Sequence, residues 1–380
     1  MRIGLLSTYP PTQCGLATFT RSLATAVTAQ HGATALVVRS VEQPERLSLD
    51  GVVGELVFGD DLSQRRAAEL LNGCDVAVIQ HEYGIYGGPD GSELLQVMRA
   101  LRVPAVVVLH TVLTEPTASQ RDVLERVLGA ASAVVTMTGA ARDRLMANYG
   151  VEPHKVKVIP HGAPETPSDV VTVPGRVLTW GLLGPGKGIE WGVAAMAHLR
   201  DLDPRPHYLV AGEIHPKVLA RDGDAYRDWL RAQAVRLGVS EMVEFDTTYR
   251  PTEELTRLVA SAQVVLLPYD STEQVTSGVL IEAVAAGRPV VATRFPHAVE
   301  LLADGVGITV THRDPKAMAD ALRQVLTDPA VESQAHQSAL EIGATLHWPA
   351  VARSYLELAR NLLTVVPPRS GGVGYSVRKS

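Results

Sequence analysis

The chain has 380 residues, 46% of them hydrophobic and 20% charged, with a net charge of −6. That length holds two globular domains of ordinary size, and that composition excludes a disordered, collagen-like or coiled-coil chain. The acidic balance argues against a nucleic-acid partner. No apolar run approaches the length that crosses a bilayer; peripheral contact with a membrane stays open. The opening MRIGLLSTYPP runs directly into an expected strand, without the apolar length and cleavage site of a signal peptide. Two cysteines, Cys14 and Cys74, suit a reducing, cytoplasmic setting. Neither lies in a C-x-x-C or Cys/His cluster, so no metal is expected.

In chain order, strand-like apolar runs alternate with helical periodicity, which predicts parallel sheets covered on both faces. The first half predicts strands at Arg2–Ser7, Ala33–Arg39, Asp75–Gln80, Ala105–Leu109, Ala133–Met137 and Lys157–Ile159. Helices are clearest at Ala17–Ala29, Ser92–Leu101, Ser119–Leu128 and Ala140–Asn148. The pattern breaks at 160–174, PHGAPETPSDVVTVP, where four prolines mark an interdomain linker. A second set predicts strands near Arg176–Trp180, His207–Ala211, Val243–Asp246, Val264–Leu267, Pro289–Ala292 and Gly307–Val310. Helices near Trp191–Arg200, Tyr226–Leu237, Pro251–Ala260 and Pro315–Thr327 alternate with them. An amphipathic helix follows from about Trp348 to Leu363, then a tail that reads as mobile. Two doubly wound domains on one linker leave a cleft between opposed carboxyl edges.

The most informative stretch is Pro268 to Thr293, PYDSTEQVTSGVLIEAVAAGRPVVAT. Ser277 is a good helix N-cap, and Gly278 lets a ligand approach the first turn. Gly287 stops the helix and Pro289 opens the next strand. A helix N-terminus, with unpaired N–H groups and a positive dipole end, is thereby placed at the carboxyl edge of a parallel sheet. Such edges bind phosphorylated ligands. Glu282 lies about one turn further in, placed to reach a ligand hydroxyl. The second strong motif is WGLLGPGKGIE at 180–190. A Gly-rich loop ending in Lys187 at a helix start offers a diphosphate close backbone approach and one cation. It is not a P-loop, because Gly and not Ser or Thr follows the lysine.

Three loops of the first half add polar groups at expected strand ends. Gly15 lies in the turn after strand one, with Thr18 and Thr20 at the helix start; without G-x-G-x-x-G, a dinucleotide site is disfavoured. The run QHEYGIYGG brings His81, Glu82 and Tyr83 together, which suits a carbohydrate but also describes an ordinary surface loop. His110 follows the apolar run VVVL.

These motifs resemble the retaining glycosyltransferases of the GT-B fold, family four (group 1), from Met1 to about Leu363. Glu282-Ala283, Ala286-Gly287 and Pro289-Val290-Val291-Ala292 match the family's glutamate, Ala/Gly-rich helix end and G-x-P-V-V-A. The family's first glutamate is replaced by Gln274, while Glu273 stands one residue early. PPTQCGLATFT resembles a C-G-I-A-T-F-T variant, and His161 replaces the asparagine of V-I-P-N-G. Lys187 matches the lysine of G-R…K-G; the arginine position falls at Leu182, with Arg250 or Arg294 as replacement candidates. Phe295–Glu300 stands where Gly-Gly-x-x-Glu is usual, and Glu300 keeps its place.

The resemblance implies two doubly wound Rossmann-like domains facing a central cleft. The acceptor domain would span 1–165 and the donor domain 166–345. A helix at 346–366 would cross back to the first domain, and the mobile tail would be 367–380. His110, Gln274 and Glu282 would be catalytic. Gly15, Lys187, Ser277, Gly278 and Val279 would surround the donor diphosphate. Glu282, Gly212 and Arg250 would serve the nucleotide and ribose. His81, Glu82, Tyr83, Glu273 and His297 are candidates for sugar or acceptor contact. The implied activity is cofactor-free, metal-independent transfer of a hexose from a nucleotide diphosphate sugar to a carbohydrate or other hydroxyl acceptor. Mannose from GDP-mannose is placed ahead of glucose from UDP-glucose. Two alternatives remain: an isomerase like the UDP-N-acetylglucosamine 2-epimerases, and a non-catalytic nucleotide-sugar binder, which Gln274 supports. The Asp-x-Asp at 201–203 follows an expected helix and lies away from the proposed cleft. Transfer is therefore expected to survive excess EDTA; complete loss, restored by Mn²⁺ or Mg²⁺, would show a metal-dependent enzyme.

Overall fold

The computed structural model describes residues 1–45, 48–248 and 250–365. The tail expected at 367–380 lies outside them. Strands β1 (Arg2–Ser7), β2 (Thr34–Val41), β3 (Val52–Val57), β4 (Val76–His81), β5 (Ala105–Leu109), β6 (Ala133–Thr136) and β7 (Val156–Val158) form a first sheet, ordered β3-β2-β1-β4-β5-β6-β7. Strands β8 (Arg176–Trp180), β9 (His207–Ala211), β10 (Val243–Asp246), β11 (Val264–Leu267), β12 (Val290–Thr293) and β13 (Gly307–Val310) form a second, ordered β10-β9-β8-β11-β12-β13. Every pairing is parallel. Both sheets reverse winding direction beside their first strand, at β1/β4 and β8/β11, where open α/β sheets place ligands.

Helices α1 (Gly15–Thr28), α2 (Asp61–Asn72), α3 (Leu94–Ala100), α4 (Ala118–Ala130) and α5 (Gly139–Asn148) cover the first sheet. The second carries α6 (Ile189–Met196), α7 (Pro216–Asp222), α8 (Ala225–Arg236), α9 (Thr252–Ala260), α10 (Gly278–Ala285), α11 (Pro296–Leu301), α12 (Pro315–Thr327) and α13 (Pro329–Leu346). Helix α14 (Trp348–Val365) returns to the first sheet and packs on α1. Central strands are apolar throughout because both faces are covered: all six residues of β4 and all five of β5 are buried. Burying such side chains contributes roughly 1.5–3 kcal/mol each.

Five strands and helices escaped the sequence reading, among them the short helices α7 and α11, each of which opens on a proline. β3 is an edge strand, VVGELV, with only Leu56 fully buried, so it lacks an apolar run. α2 begins at the cap Asp60, which accepts from Leu62 and Ser63 N–H, but its face to the core is largely small: Gln64, Ala67, Ala68 and Leu71. α13 is longer, and its buried face is Ala335, Ala339, Gly343 and Leu346. Small residues permit close helix packing but send a weak periodic signal. The predicted helix Trp191–Arg200 is shorter as α-helix, because a 3₁₀ turn at Ala197–Leu199 takes over.

The chain crosses between domains at 160–163 and again at 346–348, and the two crossings hold each other. Ala163 N–H donates to Leu346 O (2.8 Å), and Trp348 N–H donates to Ala163 O (3.0 Å). Trp348 then lies edge-on to Phe19 of α1, with centroids 5.0 Å apart. Phe19 and Trp348 share one core cluster with Val351, Ala352 and Tyr355. Trp348→Ala should therefore destabilise the fold by about 3–5 kcal/mol in urea denaturation. A change under about 0.5 kcal/mol, the scale of a surface site, would show that the crossing does not depend on this ring.

Candidate functional site

The second sheet delivers a helix start into the cleft. After β11 the chain passes through Pro268 and Tyr269 to Ser277, the N-cap of α10. Ser277 Oγ accepts from Leu280 N–H (3.2 Å), and Ser277 N–H donates to Nδ1 of His297 (2.9 Å). The N–H groups of Gly278 and Val279 have no acceptor within the helix. Gly278 faces the first domain: a Cβ there would lie 3.0 Å from His161 Nε2.

The loops after β8 and β9 close on this point. Gly212 N–H donates to Asp246 O, and Gly181 N–H donates to Ala211 O. Gly188 is left-handed (φ 62°), and a Cβ there would fall 1.9 Å from Pro268 O, so only glycine fits. The preceding Lys187 is half-buried, and its Nζ lies 4.5 Å from the centroid of the Tyr269 ring. Burial pulls the Lys187 amine below its ordinary value, and among the described residues no carboxylate offsets that shift. Asp270, next to Tyr269, is already engaged by Trp191 Nε1 (2.9 Å) and Arg313 Nε (3.0 Å).

Glu282 accepts from the indole N–H of Trp180 (3.2 Å). It lines a small pocket with Pro164, Thr252, Leu255 and Thr256. Burial pushes its carboxyl up to about 7, against the Trp180 bond, which lowers it. Arg250 pairs with Asp246, and that bond holds the Asp246 carboxyl down at about 2. Arg294 reaches Thr309 Oγ1 (3.1 Å). Both candidates for the absent family arginine are thus engaged outside the Lys187 loop.

On the first domain, Gly15 opens α1 behind the cap Cys14, whose Sγ accepts from Ala17 N–H (3.4 Å). A Cβ on Gly15 would meet open space. His110 Nε2 lies 2.7 Å from Gln80 Oε1, with its ring edge-on to Phe19 at 4.9 Å. His161 is edge-on to the same phenyl at 5.0 Å. Burial depresses His110 to about 3, helped by His161 and His81. Burial likewise depresses His81 and His161 to about 4. These rings are neutral at physiological pH. His81 is buried edge-on to Tyr83 (5.2 Å). Glu82 accepts from Thr111 Oγ1 and from Tyr83 N–H (3.0 Å), which ties the 81–83 and 110–111 segments together.

The loop 273–276 binds both domains. Gln274 Nε2 donates to Thr276 O (3.0 Å), so its amide folds back on its own loop. Glu273 is exposed, and its carboxylate takes Thr114 Oγ1 and Arg144 Nη2 (3.1 Å) from the first domain. His297 is 2% exposed. It was a candidate for sugar contact; here it caps the start of α10, and burial, with His161 nearby, holds it near a pKa of about 3. Glu300 accepts from Gly139 and Ala140 N–H, both at 2.7 Å, at the start of α5. Sequence reading did not single out Arg144, because nothing in its helix marks it as functional; its partner Glu273 is 129 residues away along the chain.

Two domain models match this chain. Residues 14–166 match Glycosyltransferase Family 4, and residues 174–328 match Glycosyl transferases group 1. A D-inositol 3-phosphate glycosyltransferase of Corynebacterium urealyticum is 37% identical over 137 residues, 36% of this chain and 32% of that protein. The same-named protein of Corynebacterium efficiens is 26% identical over 309 residues, 73% of this chain and 71% of that protein. The chain thus aligns with between about a third and about seven tenths of the length of these relatives. The Anabaena protein Alr3699/HepE, crystallised with UDP, superposes with a TM-score of 0.74 at 19% identity, covering 95% of this chain and all of that one. Two doubly wound domains meeting at their carboxyl edges, with α14 crossing back, define the GT-B fold. The chain belongs to the group 1, family 4 glycosyltransferases.

The raised Glu282 carboxyl has a pH consequence in the ligand-free protein. Between pH 4.5, its ordinary value, and about 7, the folded chain keeps a proton that the unfolded chain loses. The unfolded state thus binds fewer protons, and stability falls as pH rises through this window. Measured against Glu282→Gln by urea denaturation, wild type should lose roughly 1–3 kcal/mol across it and stay level above it. A pH-independent difference would place the carboxyl in water.

Proposed function

We propose that this protein transfers a hexose from a nucleoside diphosphate sugar to an acceptor hydroxyl, with retention of configuration and without metal. One observation carries the reading: Lys187 is a half-buried ammonium with no acidic partner among the described residues, packed on Tyr269 beside the N-cap of α10. A desolvated, unpaired charge is costly until an anion arrives. A departing nucleoside diphosphate supplies that anion, and the N–H groups of Gly278 and Val279 share its charge. Glu282 then takes the ribose hydroxyls, with Gly212 and Arg250 on the nucleotide side. Gly15 faces the diphosphate from the first domain.

His110 accepts or donates a single hydrogen bond to a donor hydroxyl and stays uncharged while doing so. His81 sits buried behind Tyr83, so Glu82 and Tyr83 are the members of that loop best placed for an acceptor. Gln274 turns from Thr276 to the sugar when donor binds. Retention is supported by the engagement of the nearby carboxylates: Glu273 is paired with Arg144, and Glu82 accepts from Thr111. Neither is poised as the general base that inversion would require. Relatives named for inositol phosphate favour an acceptor rich in hydroxyls, of sugar or cyclitol type. UDP-glucose and GDP-mannose are the donors to set side by side, the first because the Anabaena neighbour holds UDP.

Lys187→Ala should weaken binding of UDP or GDP, read by calorimetry, by about 1.5–3 kcal/mol, the scale of a charge-assisted hydrogen bond. Unchanged affinity would remove Lys187 from the phosphate site. Gln274→Ala should cut turnover with little change in nucleotide affinity, because its contact is to sugar. Equal losses in both would assign it to the nucleotide.

A further inference from the structure

Helix α5 belongs to the first domain, yet its N-terminal half is bound by the second. Thr138, its N-cap, donates from Oγ1 to Val275 O (2.9 Å). The next two N–H groups, of Gly139 and Ala140, each donate at 2.7 Å to a different oxygen of Glu300. A carboxylate there is favoured by charge-assisted bonds and by the helix dipole. Further along, Arg144 Nη1 donates to Val112 O (3.1 Å) and to Glu273 O (2.8 Å), while Nη2 meets the Glu273 carboxylate at 3.1 Å. Thr114 Oγ1 donates to that same carboxylate. Between these contacts, Val275 is 4% exposed and packs into the hydrophobic cluster of the first domain, with Leu145 and Tyr149.

Val112 lies two residues after His110, and Glu273 immediately precedes Gln274. One guanidinium therefore holds main-chain carbonyls of both segments. We propose that Arg144 is a positioning residue that aligns His110 with Gln274, and that α5 with Glu300 and Val275 forms the clasp holding the two domains in register. The inference rests on the transferase reading, since alignment matters only if a sugar is transferred between those groups. Arg144 touches neither the diphosphate loop nor Glu282, so nucleotide binding on the second domain should not depend on it.

The test uses the full chain and the variants Arg144→Ala, Arg144→Lys and Glu300→Gln. Melting temperature first establishes that each is folded. Arg144→Ala should lower donor-saturated turnover roughly ten- to a hundredfold, the scale of a misaligned reacting pair. The dissociation constant for UDP or GDP should stay within about twofold. Arg144→Lys should restore part of the turnover, because a point charge can keep one carbonyl but not the fork. Glu300→Gln should show a smaller loss of the same kind, since an amide accepts one of the two N–H bonds. If Arg144→Ala does not fold, the lysine and Glu300→Gln variants carry the test. Unchanged turnover, or nucleotide affinity falling in step with turnover, overturns the proposal. If wild type transfers sugar from no donor, the transferase reading fails instead. The clasp is then judged by small-angle scattering: the Arg144→Ala/Glu300→Gln variant should expand relative to wild type, and an unchanged radius of gyration refutes it.

Discussion

The site depends on the first turn of α10. A helix begins with N–H groups that have no acceptor in the helix. β11 lies inside a parallel sheet, so this start must open at the sheet's carboxyl edge. Two of its donors are satisfied by protein: His297 accepts from Ser277, and Ser277 accepts from Leu280. The glycine at 278 leaves no side chain between the remaining N–H groups and the first domain. Gly188 seated on Pro268 brings the Lys187 loop against the same point. The result is a bare helix start with a half-buried lysine beside it, the arrangement on which the proposed diphosphate site rests.

Around that point the protein removes competing charge. His81, His110, His161 and His297 are all held neutral, chiefly by burial. Asp270 is paired with Arg313 and hydrogen-bonded by Trp191, and Asp246 is paired with Arg250. Lys187 keeps its cost unrelieved by any acidic group among the described residues, and Glu282 carries a proton more readily than an exposed glutamate would. Under the proposed transfer, such an arrangement would need little reorganisation as negative charge develops on the donor.

The two domains meet through specific bonds and not through sheet edges alone. The crossing segments pair at Ala163 and Trp348, on one side of the cleft. On the other, α5 receives Glu300 and the loop 273–275. Between them lie Phe19, His110, His161 and Trp348, a stack of rings in edge-on or tilted contact. The departure at Gln274 falls in the loop that the first domain holds, so substitution and domain contact concern the same few residues.

Much of this was readable from local chemistry. β1, β4, β5, β11 and β12 are apolar runs that only burial on both faces explains. Ser277 and Gly287 bracket α10 by capping rules that act within a few residues. Lys187 after GPG and the His110 strand end were legible for the same reason. β3, α2 and α13 were not, because an edge strand and faces of small residues carry little periodicity. Nor were the partners of Glu300, Arg144 and His297. His297 binds a backbone group 20 residues back, and Glu300 one 161 residues back. The sequence by itself determined where strands end and which helix starts lie bare, since those follow from neighbouring residues. Only the tertiary structure decided which polar groups are spent on each other across the cleft and which are left for a ligand, because hydrogen bonds between distant segments depend on how the two sheets are brought together.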